Sequence, residues 1–368
     1  SMTHLMKALG LLAMIATTAS AVDYSTSTDI TTEVNTGNGK VMIYTTGASD
    51  VVVQVINDGA TKAGAITNTT GVSQIGYSTP NGTGTCSLII DGGSVGTAAQ
   101  YGQWYVSGGN SDGVLDIRNG GSFYASTLYL GMGQTATPGD AFVSISGGNL
   151  TLTNGTLFLG YRYGTVASFT QTGGNVSVGY DTTIGHTSTS STGTMTISGG
   201  TFTSRALLVG SAASVGRLNI IGDAATVTTT ERAFAVYGQS QSTLGFTLNG
   251  TTGRVSCIDA FEVALLAGAV VDMDLNGFRE GAEGETVEWV VDLVRFRNTD
   301  PEAEIAIELD NLVFSPEDQA AWTFRVSDDG QTLQAVTMVA VPEPATMALL
   351  GFGVVGLVAS RRRRNPAA

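Results

Sequence analysis

The chain has 368 residues, of which 42% are hydrophobic and only 13% charged, with 49 glycines and 7 prolines, a composition that suits a turn-rich all-β chain. Its formal net charge is −14, and five of the 17 basic residues (Lys7 and Arg361 to Arg364) lie at the two ends, so the body between them is more acidic still. Such a body repels nucleic acid and anionic lipid, which excludes a nucleic-acid partner and leaves divalent cations or cationic partners open.

Residues 1–21 read as a secretory signal peptide. Lys7 precedes the apolar run Ala8–Ala16, and the small residues Ala19 and Ala21 set cleavage after Ala21. Residues 22–49 read as a linker and N-terminal cap, Ser/Thr-rich at first and then strand-like at Lys40–Tyr44.

Residues 50–258 carry a repeat. Leu115-Asp-Ile-Arg-Asn-Gly-Gly-Ser-Phe-Tyr-Ala returns as Val143-Ser-Ile-Ser-Gly-Gly-Asn-Leu-Thr-Leu and as Met195-Thr-Ile-Ser-Gly-Gly-Thr-Phe-Thr-Ser. The first glycines of the pairs are Gly92, Gly120, Gly147, Gly173 and Gly199, at intervals of 28, 27, 26 and 26 residues. A fixed period in this range marks a solenoid. Within each copy the apolar residues alternate (Leu150, Leu152, Leu157, Leu159), which is the strand period, and glycine takes the corners, where positive φ is needed. Each copy therefore predicts one coil of a parallel β-helix, or β-solenoid, taken as right-handed by analogy, with aliphatic ladders inside and Thr, Ser and Asn outside. One coil cannot close a core by itself, so stability belongs to the stack. Cys86 and Cys257 fall about six coils apart, roughly 29 Å at 4.8 Å per coil, far beyond bridging distance.

Residues 259–340 lose the double glycine and gather acids, and they predict a C-terminal antiparallel β cap, with a small separate sandwich as the alternative. Trp322–Val326 and Thr332–Val336, joined across Asp328-Asp-Gly330, read as a hairpin. Asp272-Met-Asp-Leu-Asn-Gly-Phe-Arg-Glu-Gly-Ala-Glu283 satisfies an EF-hand spacing, with Asp272, Asp274, Asn276, the Phe278 carbonyl and Glu283 as calcium ligands. Against calcium, Val270–Leu275 alternates like a strand and the flanks are not helical.

Residues 341–368 close the chain. Pro342-Glu343-Pro344 leads into the apolar Ala345–Ser360 and then Arg361, Arg362, Arg363 and Arg364. As a helix, sixteen residues at about 1.5 Å each give about 24 Å, short of a hydrocarbon core of about 30 Å. The expectation is nevertheless a single C-terminal transmembrane helix, with the arginines on the cytoplasmic side and the β body outside.

This tail closely resembles the PEP-CTERM sorting signal of bacterial exported proteins, and the middle resembles the β-helical repeats of autotransporter passengers. The first resemblance implies an exosortase-type processing protease as partner, the tail as its substrate, and association with exopolysaccharide, biofilm or extracellular matrix. It implies export to the cell surface, with membrane anchoring before processing. Neither resemblance carries catalytic residues.

Chemistry has little to stand on. The acids of the repeats (Asp91, Asp112, Asp116, Asp140, Asp181, Asp223) and the bases (Arg118, Arg162, Arg205, Arg217) look scattered and out of phase, and beyond the signal peptide the histidine is His186 alone. Paired acid and base groups would have to converge for glycan cleavage. No catalytic residue is therefore assigned, and no cofactor beyond the calcium candidate. A strip of aromatic residues (Trp104, Tyr105, Phe123, Tyr124, Tyr129, Tyr161, Tyr163, Tyr180, Tyr237) is a candidate for stacking sugars, against the reading that the rings pack structurally. The expected function is an exported, non-catalytic structural or adhesive protein, with a carbohydrate-binding β-helix, or a polysaccharide lyase or hydrolase, as alternatives.

Overall fold

The computed structural model describes residues 21–340, except 37–39, 68, 78–81, 133–137, 163, 187–190, 212–213, 238–241, 266–267, 279–285, 298–311 and 316–320. These residues wind into a right-handed parallel β-solenoid of triangular section. Its first face is an eleven-stranded parallel ladder running from Thr28–Ile30 to Leu312–Phe314. The second runs from Glu33–Asn35 to Thr286–Phe296, and the third from Ala21–Tyr24 to Glu262–Leu265. The second and third faces join where the ten-residue strands Asn175–Ile184 and Gly200–Val209 bend round their shared corner.

The repeat period is the coil length. On the second face Ser94 pairs with Ser122, Ser122 with Asn149, Asn149 with Asn175 and Asn175 with Thr201, which reproduces the spacing of the glycine pairs. Longer coils leave the ladders undisturbed: Val51 still pairs with Cys86 across 35 positions, the extra residues lying between the faces.

The double glycine has a steric cause. Backbone N–H groups of Ser122, Asn149, Asn175 and Thr201 donate to the carbonyls of Gly93, Gly121, Gly148 and Gly174 one coil below. Each second glycine thus sits on its counterpart. A Cβ on Gly148 would lie 2.4 Å from the Gly121 oxygen, and one on Gly174 2.2 Å from the Gly148 oxygen.

Inside, like stacks on like. Val55, Ile90, Ile117 and Ile145 form one column, Gln171 interrupts it, and Ile197 and Ile220 resume it. Gln171 is fully buried and keeps its place by donating Nε2 to the Thr201 carbonyl at 3.0 Å. A second column begins at Val51 and then narrows to small residues: Cys86, Gly113, Ala141, Ala167, Gly193 and Gly216. Here the corner backbone folds over the strand, and a Cβ on Gly216 would meet the Gly210 nitrogen at 2.2 Å. Cys86 is one of these small core residues, and it and Cys257 are both free thiols.

Parallel pairing begins at Ala21–Tyr24, so strands already occupy the stretch expected as linker and cap. At the other end the solenoid continues through Ile258–Ala260, Glu262–Leu265 and Ala269–Asp274 before the pairing turns antiparallel. Thr332–Ala340 lies between Thr286–Phe296 and Trp322–Val326, antiparallel to both, and Gly330 takes positive φ in the predicted hairpin turn. Phe324 stacks flat on Phe314 of the last first-face strand, with centroids 3.8 Å apart, and so ties this sheet to the stack.

The expected transmembrane helix is withdrawn. The described residues contain no helix of any kind, hence none long and apolar enough to cross a membrane, and residues 341–368 lie outside them. The segment also argues against itself: it is shorter than a hydrocarbon core, and Gly351, Gly353 and Gly356 weaken it as a helix. The membrane contact and the membrane-anchored localisation expected before processing rested on that helix and are withdrawn with it. The fold class is a β-solenoid with an antiparallel cap.

Candidate functional site: an aromatic column on the third face

The outer surfaces of the three faces differ. On the second face Ser122, Asn149, Asn175, Thr201 and Thr226 stack in register, and Asn175 Nδ2 donates to Asn149 Oδ1 at 3.0 Å. On the first face Arg118, Asp91 and Asp116, which look scattered in the sequence, come together. Arg118 reaches Asp91 at 3.1 Å and Asp116 at 3.4 Å, Gln54 and Asn119 donate to Asp91, and Ser144 donates to Asp116. Arg205 pairs with Asp181 at 3.1 Å and lies over the Tyr180 ring. Register sets Arg118 beside Asp91 and Ser144 beside Asp116 across the coils, Arg118 also reaches Asp116 within its own strand, and each of these carboxylates already has a donor.

The third face carries rings. Gln74, Tyr105, Tyr129 and Phe158 occupy one outward column. Tyr129 and Phe158 stack with centroids 5.1 Å apart and planes 13° apart, while Tyr105 meets Tyr129 edge-on at 5.2 Å. A second, shorter stack stands at the corner. Tyr161 and His186 each follow a positive-φ glycine, Gly160 and Gly185, whose N–H donates to the coil below. Their rings stack at 4.7 Å and meet the first stack at steep angles, Tyr161 against Tyr129 at 73° and His186 against Phe158 at 84°. Exposed Arg162 lies 5.3 Å from the Tyr161 centroid. All five rings are half-buried. Burial raises the Tyr129 phenol, with the neighbouring Tyr161 and Tyr105 adding to it, and burial followed by the Arg162 charge lowers the His186 imidazole.

This set differs from the aromatic residues expected from the sequence. Trp104 and Phe123 are fully buried and meet edge-to-face at 5.1 Å inside the core. Tyr124 faces out on the second face, Tyr180 lies under Arg205, and Tyr163 is outside the described residues. Phe158 and His186 escaped the reading, although the signal was present. Phe158 alternates with inward Leu157 and Leu159, and His186 follows Ile184-Gly185 as Tyr161 follows Leu159-Gly160.

Of the calcium candidates, all but Glu283 fall within the described residues. Asp272 and Asp274 point outward from the strand Ala269–Asp274. Asn276 takes φ 49°, donates its backbone N–H to Asp274 and its Nδ2 to the Leu248 carbonyl. Phe278 is buried against Trp289, and Glu283 lies outside the described residues. Among the described residues no group of three or more His, Cys, Asp or Glu converges as a metal site. The signal-cleavage pair is Ala19, outside the described residues, and Ala21, at the start of the first strand; the sorting residues Pro342, Glu343, Pro344 and Arg361 to Arg364 are also outside.

The stacked coils define the class: a parallel β-solenoid whose outer faces are polar on one side and aromatic on another. In comparisons with known proteins, residues 340–364 match the PEP-CTERM protein-sorting motif. No curated protein and no solved structure matches the chain. It is a β-solenoid that carries a PEP-CTERM sorting motif, beginning at the last residue of the cap strand Thr332–Ala340.

Proposed function

We propose that this is an exported, non-catalytic structural or adhesive protein of the cell surface or extracellular matrix, associated with exopolysaccharide or biofilm. Its sorting motif is the substrate of an exosortase-type protease. One observation carries the reading: the parallel stack ends in a cap strand, Thr332–Ala340, that leads directly into the matched motif. A rod of this kind presents repeated polar faces and needs no moving part.

The test is the mass of the mature C-terminus in the native host. Removal of residues beyond the Pro-Glu-Pro region supports the reading, as does intracellular retention of a Pro342→Ala, Pro344→Ala variant. Exported protein with an intact tail through Arg364 contradicts it.

A further inference from the structure

We infer that the ring cluster of the third face is a binding site for an uncharged polysaccharide, lying along the solenoid axis over Tyr105, Tyr129, Phe158, Tyr161 and His186. This deepens the adhesive reading by giving it a surface and a ligand class.

The geometry favours a chain of rings. The cluster repeats with the coils, at centroid separations of 4.7 to 5.2 Å, and runs in one direction along the rod. A linear polymer of pyranose units presents C–H-rich faces at regular intervals along a line, and such faces pack on half-exposed aromatic surface. The stacks Tyr129–Phe158 and Tyr161–His186 meet edge to face, at 73° and 84°, so that the five rings make one continuous patch. The rings are half-buried, held by their neighbours yet still partly open to solvent.

Charge selects the class of polymer. The protein carries −14, yet the segments that bear the rings (103–106, 127–131, 157–162 and 184–186) contain no carboxylate. An acidic polysaccharide meets repulsion from the body as a whole, whereas a neutral one meets none. Arg162, exposed beside Tyr161, supplies donors to sugar hydroxyls without competition from a local acid. A second copy of the chain would bring another −14 to the same face.

The purified full-length chain tests this by affinity electrophoresis through gels containing hydroxyethyl cellulose, soluble starch or galactomannan, with alginate as the acidic comparison. At least one neutral glycan is expected to retard the protein, with little dependence on salt. Tyr161→Ala should weaken binding about tenfold, as truncating a central aromatic anchor does, while Tyr161→Phe and the distant Tyr180→Ala should bind as the parent. No retardation by any neutral glycan, retardation by alginate alone, or full binding by folded Tyr161→Ala overturns the proposal. So does a glycan-independent dimer that Tyr161→Ala abolishes. Should that variant not fold, Arg162→Ala takes its place, with a severalfold loss expected and unchanged binding fatal. The C-terminal mass is read separately, so a failed glycan assay leaves the sorting result standing.

Discussion

Gly148 sits directly on Gly121. The oxygen of Gly121 accepts the Asn149 N–H at 2.7 Å, and the same oxygen lies 2.4 Å from where a Cβ on Gly148 would be. The carbonyl cannot retreat without breaking the ladder bond that holds the two coils together.

Two glycines of this corner should therefore respond differently to alanine. Gly148→Ala forces the coils apart and is expected to cost about 2–4 kcal/mol. Gly120 has open space around its missing Cβ but a φ of 79°, so Gly120→Ala carries only backbone strain, about 1–2 kcal/mol. Chemical denaturation followed by circular dichroism ranks the two; an equal or reversed order contradicts the stacking argument.

Ser107 occupies a corner where other coils use Gly76, Gly131, Gly160, Gly185 and Gly210, and it takes φ 57°. Its buried Oγ donates to the Gly139 carbonyl at 2.6 Å. Ser107→Ala keeps the strain and loses the bond, at about 1–3 kcal/mol. Ser107→Gly loses the bond but relieves about 1 kcal/mol of strain. The glycine variant should melt at the higher temperature of the two.

Burial pushes the Cys86 thiol up to about 11 and the Cys257 thiol up to about 12. At pH 8 only about one Cys86 in a thousand is thiolate, so neither residue should react with a disulfide reagent until the chain unfolds. Because the folded state holds these protons more tightly than the unfolded chain, their contribution to stability is complete below the unfolded pKa and declines as pH rises through 11 and 12. Rapid labelling of Cys86 in native protein at pH 8 would contradict its buried placement.

His186 works in the opposite direction. Its folded imidazole is held below the ordinary value by burial and by Arg162, so the neutral ring is the form that stacks on Tyr161. The stability it contributes is present above the unfolded pKa and is lost as pH falls through the lower folded one. Between neutral pH and about pH 5 the melting temperature should fall less in His186→Phe than in the parent.

The solenoid was legible because alternation and glycine spacing report the coil directly. Leu150, Leu152, Leu157 and Leu159 are all fully buried, as their period requires. What the spacing could not report was register across coils. Arg118 and Asp91 stand 27 positions apart and look unrelated until their strands pair. The same blindness grouped core residues Trp104 and Phe123 with surface tyrosines and passed over Phe158, whose outward role depends on lying beside Tyr129. The EF-hand spacing counts ligands along a loop, whereas Asp272 and Asp274 belong to an extended strand.

The placement of Thr332–Ala340 between two antiparallel neighbours has a mechanical consequence. Nine residue pairs join it to Thr286–Phe296, and five join it to Trp322–Val326. A tether leaving Ala340 along the strand direction loads those ladders in shear, so their bonds resist together instead of peeling one after another. Tension at the tail would then be passed into the coils through the strongest route the cap offers.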